Sequence, residues 1–171
     1  MNTLRAIIRA IERASEWGGK GVSWLLLALV FSLTYDTFMR YLFRAPTFWA
    51  FDISYMLGGT IMLMGMAWVT CRRSQVRVDI LYTRMSERAQ KIVDSVLNII
   101  IFLPLFVVLL YQGFNRAIYS YKIKEFSEVG FWRPIMWPYR WLIVVALALW
   151  LLATITWVVR DMHSLTRGKE L

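Results

Sequence analysis

Four apolar stretches dominate this chain of 171 residues, each close to the about twenty residues that an α-helix needs to cross about 30 Å of hydrocarbon. Inside lipid every backbone N–H and C=O must be satisfied within the protein, so apolar runs of this length fold as helices. The expected fold class is an all-α integral membrane protein with four transmembrane helices, at 22–43, 51–69, 92–111 and 141–159. Thirteen Lys and Arg lie before the first span, between the second and third, and after the fourth, against seven in the other two connections. The more basic side is usually cytoplasmic, which predicts a multi-pass protein with both termini cytoplasmic.

The whole chain reads as a single membrane domain. Segment 1–20 places Leu4, Ile7, Ile8 and Ile11 on one helical stripe, with Arg5, Arg9, Glu12, Arg13 and Glu16 around the rest, the pattern of an amphipathic helix lying in the inner interface. Its charges run throughout and no small-residue cleavage site follows, so the first span is expected to remain in the mature protein. Gly18, Gly19 and Gly21 are placed to turn a corner into that span. The connection holding Arg44, Pro46 and Trp49 has room only for a tight antiparallel return, so spans one and two should pack side by side.

Segment 70–91 is expected to be a cytoplasmic loop with an interfacial helix, in which Ile80, Leu81, Met85 and Ala89 keep helical spacing and Ser86 caps the helix entering span three. Pro104 removes a backbone donor and should kink or loosen that span near its centre. In 112–140 the helical pattern continues on the outer side through Phe114, Ala117, Ile118 and Tyr121 until Gly130, Pro134 and Pro138 break it. Phe131, Trp132, Trp137, Tyr139 and Trp141 then form an aromatic belt before span four, which carries no charge and reads as an anchor or packing helix ahead of a cytoplasmic tail at 160–171. Trp49, Trp68, Trp137 and Trp157 are expected interface anchors.

The inventory of reactive groups argues against an enzyme. A single cysteine, Cys71, allows no internal thiol exchange, and a single histidine, His163, allows no bis-histidine haem or multi-histidine metal site, so no cofactor or metal is expected in this chain. The net charge of +9 flanks apolar helices and reads as a topology and anionic-lipid signal, with no nucleic-acid partner. Ionisable residues within spans are costly and draw attention to mechanism. Asp36 and Arg40 share a helix face and form an expected ion pair, Asp52 stands at the start of span two as a cap or interhelical contact, and Asp94 and Asn98 sit one turn apart near Lys91 and Arg88. Gly58, Gly59 and Gly65 permit close helix approach, either inside the bundle or against a partner. A self-sufficient small dimeric transporter, proton-coupled through Asp36 or Asp52, is the alternative reading of these acids.

The ordered series of Arg40, Pro46, Trp49 and Asp52 resembles the opening of helix two in the small membrane subunit, DctQ-like, of tripartite ATP-independent periplasmic (TRAP) transporters. Ser74-Gln75-Val76-Arg77-Val78-Asp79-Ile80-Leu81 is similar to that family's second signature, and Pro134 with Trp137-Pro138-Tyr139 to its third. Asp52 stands where the family commonly has glutamate, and Gln75 where it commonly has histidine, so no titrating role passes to Gln75.

The resemblance implies a non-enzymatic accessory subunit in a bacterial inner membrane. It would brace a large, DctM-like membrane subunit that carries the sodium and substrate sites, and receive a DctP-like periplasmic substrate-binding protein. The transport implied is sodium-dependent symport of organic acids, with the sodium ions bound in the large partner and not here. Arg44, Arg116, Lys122, Lys124 and Arg133 become candidates for docking the delivery protein, and Asp36, Arg40, Trp49, Asp52, Asp79, Trp137 and Pro138, with the three glycines of span two, for structure and interface.

Overall fold

The structure is a computed structural model that describes residues 2–72, 74, 85–128 and 130–167. Among the described residues, five α-helices follow in the order α1 (Asn2–Phe43), α2 (Ala50–Cys71), α3 (Glu87–Leu97), a π-helical turn at Asn98–Phe102, α4 (Leu103–Ile123) and α5 (Trp137–Arg167). Four helical stretches, at Ile8–Phe43, Ala50–Cys71, Ala89–Ile123 and Trp137–His163, are long and apolar enough to cross a membrane. The membrane-protein fold expected from the sequence is therefore present. Asp79 and Gln75, with Ile80, Leu81 and the rest of the second signature beyond Ser74, lie outside the described residues.

α1 is one helix of 42 residues, about 63 Å at 1.5 Å per residue. The corner expected at Gly18, Gly19 and Gly21 does not occur, and the reason lies in packing. A Cβ on Gly19 would stand 2.5 Å from Cδ2 of Trp68, so the missing side chain lets the indole of α2 rest directly on the α1 backbone. Gly18 continues that contact toward Met64, whose sulfur would be 3.8 Å from an added Cβ. The helix between Ala50 and Cys71 returns antiparallel to α1, as the short connection required.

Ser86 caps α3 as expected, its hydroxyl accepting from the Ala89 N–H at 3.4 Å. Pro104 acts through a local change of helix type. Its ring cannot fit behind a regular α-turn, and the five residues before Leu103 widen into a π-turn, with the Leu103 N–H reaching back to the Asn98 carbonyl. Beyond it α4 runs on to Ile123 and ends where Lys124 adopts a left-handed conformation, φ 50°.

The helices stand in an open row, α1–α2–α5–α4, in which α1 packs on α2, α2 on α5 and α5 on α4. α5 occupies the interior: 44% of its most apolar stretch is buried, against 11% for α1 and 11% for the stretch containing α4. The anchor reading of span four thus gives way to the packing one, and Phe106 of α4 lies 4.6 Å, centroid to centroid, from Trp150 of α5. Trp150 also donates to Thr70 Oγ1 of α2 at 3.0 Å, so one indole ties both neighbours of the central helix.

Ion pairs gather the end of the row that holds the termini. Glu12 meets Arg160 at 2.7 Å, and Glu16 receives Lys20 at 3.1 Å and Arg72 at 3.4 Å, joining α1 to the ends of α5 and α2. Trp157 is buried here and donates to Asp161 at 2.8 Å, so it is an interior residue and not the interface anchor expected. At the other end, Glu125 to Met136 fold back as a short hairpin, bridged antiparallel at Phe126 and Ile135.

Candidate functional site at the hairpin end

Asp36, Arg40 and Asp52, three of the polar residues singled out in the sequence, lie at the end of the row opposite the termini, where they help fasten two connections onto the helices. Asp94 and Asn98 stand in α3 and at the start of the π-turn. The first fastening is Asp36. Its expected partner Arg40 donates to Oδ2 at 2.8 Å, while the Thr47 N–H donates to Oδ1 at 3.0 Å and the Thr47 hydroxyl donates to the same oxygen. One carboxylate on α1 therefore holds both its own helix and the return loop. Trp49 follows in that loop and stacks on Tyr35, rings 5.8 Å apart and 22° from parallel.

Asp52 is the second fastening. It lies in the first turn of α2, is buried, and accepts from the Ser127 hydroxyl at 2.7 Å. Oδ2 has no hydrogen-bond partner among the described residues and is packed against Gly130, where any Cβ would collide with the carboxylate. The hairpin can reach Asp52 only because residue 130 lacks a side chain. Of the two readings of Asp52 from the sequence, cap and interhelical contact, the structure shows a long-range contact, which joins α2 to the hairpin across 75 positions.

Glu125, which the sequence reading passed over, supplies the third. Its Oε1 accepts from Arg116 at 3.0 Å and from Arg140 at 3.2 Å, linking α4 and α5 through the base of the hairpin. Burial pushes the Glu125 carboxyl upward, but the neighbouring Ser120 hydroxyl and the Arg140 and Arg116 guanidinium groups outweigh it and hold it below the usual glutamate value. The signal available in the sequence was an acid set among cations, with Arg116 nine positions before it and Arg140 fifteen after.

Trp137 meets Tyr121 edge to face at 5.5 Å, and Pro138 sits in the first turn of α5, where a missing N–H costs nothing. Of the glycines in α2, Gly59 faces the Tyr139 hydroxyl so closely that a Cβ would collide with it, whereas additions at Gly58 and Gly65 would meet nothing within 4 Å. Of the docking candidates, Arg116 is tied to Glu125, while Arg44, Lys122, Lys124 and Arg133 are exposed. Arg44, Lys124 and Arg133 have φ of 51°, 50° and 48°, so each stands where the chain turns sharply out of a helix or within the hairpin. Among the described residues no cluster of His, Cys, Asp or Glu is assembled for a metal ion.

This end of the molecule is a fixed, positively charged platform built on carboxylates that are already engaged. The family model described as Tripartite ATP-independent periplasmic transporters, DctQ component, matches residues 29–164, which takes in all three fastenings, the later part of α1 and the whole of the other spanning stretches. The chain belongs to this family. No curated protein and no solved structure gives a match. As a DctQ protein it is a small membrane component of a TRAP transporter, a family of transporter components and not of enzymes, and a multi-pass protein of the inner membrane.

Proposed function

We propose that this DctQ chain is a scaffold subunit that braces the large, DctM-like membrane subunit of a sodium-coupled importer of organic acids and offers part of the surface on which a DctP-like binding protein docks. The observation that carries the reading is the open row. A closed bundle would turn its apolar faces inward, whereas helices ordered α1–α2–α5–α4 leave broad apolar faces for a second membrane protein and resist tipping in the bilayer. With the termini cytoplasmic, the hairpin end faces the periplasm and presents Arg44, Lys122, Lys124 and Arg133 to the delivery protein.

Asp36 and Asp52 both hold loops in place, which favours the scaffold over a self-sufficient proton-coupled transporter. The test is reconstitution. The tagged chain is co-expressed with the large membrane subunit of its system, purified in detergent and placed in liposomes with the binding protein. A stable pair, with uptake requiring all three components and a sodium gradient, supports the proposal. Gradient-driven uptake by this chain alone refutes it. Charge reversal at Lys122, Lys124 and Arg133 is expected to lower uptake at limiting binding protein and leave the membrane pair intact.

A further inference from the structure

α1 stands at the edge of the row and is packed on one side only. The packed side carries Ile8, Ser15, Val22 and Asp36, which fall on a seven-residue repeat toward α2. Two residues further on, about 200° around the helix, lies a second seven-residue series made of Trp17, Trp24, Phe31 and Phe38. These are 78%, 74%, 73% and 53% exposed. From Trp17 to Phe38 the series runs about 32 Å, the full thickness of the hydrocarbon.

An aromatic belt accounts for residues at the two interfaces and not for a ladder continued through mid-depth. The series also alternates in size, because Gly21 and Ala28 stand one turn after Trp17 and Trp24 on the same face, and a Cβ on Gly21 would meet nothing within 4 Å. Toward the hairpin end, Leu33, Thr34, Thr37, Phe38, Tyr41 and Leu42 shape an open groove of about 400 Å³. Large residues alternating with gaps at a strict seven-residue period form knobs and holes for another helix crossing at about +20°. Lipid chains conform to any surface and impose no such period.

We infer that this face of α1 is the seam against a transmembrane helix of the large membrane subunit, an inference that rests on the scaffold reading above. Charge decides against a second copy of this chain. Membrane topology would make such a pair parallel and two-fold, setting Arg13, exposed and one turn before Trp17 on the same face, against its own copy. The fitting partner is an apolar helix with small or aliphatic residues at the seven-residue period and a carboxylate at the level of Arg13.

The experiment places a benzophenone amino acid, one site at a time, at positions 24, 31 and 38, at Leu26 and Val30 on another face of α1, and at Ile100 and Val108 on α4, in the full chain co-expressed with the large subunit. Irradiation in membranes is expected to give an adduct of this chain with the large subunit from 24, 31 and 38, at several times the yield from 26 and 30, and none from 100 and 108. Adducts of two copies of this chain overturn the inference, as do adducts with the large subunit from α4 alone. If the unsubstituted pair co-purifies and the ladder positions still give no protein adduct, the seam is wrong and the scaffold reading stands. If the pair does not co-purify at all, both fail.

Discussion

The Ser127 hydroxyl donates to the buried carboxylate of Asp52 at 2.7 Å, and this bond holds the hairpin of the α4–α5 connection on the first turn of α2. Ser127→Ala leaves that carboxylate without its donor and is expected to cost about 1–3 kcal/mol, as for other buried acceptors stripped of a partner. Asp52→Asn keeps an acceptor for Ser127 and should cost less. Thermal unfolding of the purified chain in detergent ranks the two; a larger loss from Asp52→Asn than from Ser127→Ala would show that charge, more than the hydrogen bond, matters at Asp52.

Gly130→Ala forces a methyl group into the Asp52 carboxylate and is expected to destabilise by about 1–3 kcal/mol through overpacking. The same change in an Asp52→Ala background should cost little further, so the double cycle measures a coupling. Simple additivity of the two losses would contradict the contact.

Gly59→Ala drives a methyl group into the Tyr139 hydroxyl, and Tyr139→Phe removes the colliding oxygen, leaving the ring carbon 3.5 Å from the new Cβ. Gly59→Ala alone should lower the melting temperature, and Tyr139→Phe should restore most of the loss. Failure of the rescue would place the conflict elsewhere on α2.

Glu125 sets a pH dependence whose sign is fixed. Burial raises its carboxyl, but Ser120, Arg140 and Arg116 together bring it below the ordinary value of 4.5. The folded state therefore binds this proton less readily than the unfolded chain, and the stabilisation is complete above pH 4.5 and lost as the pH falls below it through the depressed value. Melting temperatures from pH 7 downward should fall in that acid range. Glu125→Gln should flatten this part of the curve and lower the plateau at neutral pH; a curve unchanged by the substitution would remove Glu125 as its source.

Glu12 and Arg160, 2.7 Å apart and each about 30% exposed on the side chain, tie the first third of α1 to the end of α5. Glu12→Arg is expected to loosen this end, seen as faster amide exchange near the α1 N-terminus, and adding Arg160→Glu should recover much of the protection. A gain of no more than the sum of the single effects would mark the pair as incidental.

The Asp36–Arg40 pair, the Ser86 cap and the disturbance at Pro104 were legible from neighbouring residues, because helical spacing and backbone chemistry act over one or two turns. The Thr47 contact lies eleven positions from Asp36 and the Ser127 contact 75 from Asp52, and no periodicity links such pairs. Glu125 escaped for the same cause, since its value lies in joining α4 to α5.

What the chain determines by itself is the number and place of its spans, since bilayer thickness and the need to satisfy backbone polar groups leave an apolar run of about twenty residues one outcome. The order α1–α2–α5–α4, the burial of Trp157 and the use of Gly19 as a bed for Trp68 were decided only in the tertiary structure. Lipid is as apolar as the helices themselves, so hydrophobicity alone does not choose which faces meet. That choice falls to shape, to missing side chains at Gly19, Gly59 and Gly130, and to a few hydrogen bonds between residues far apart in the chain.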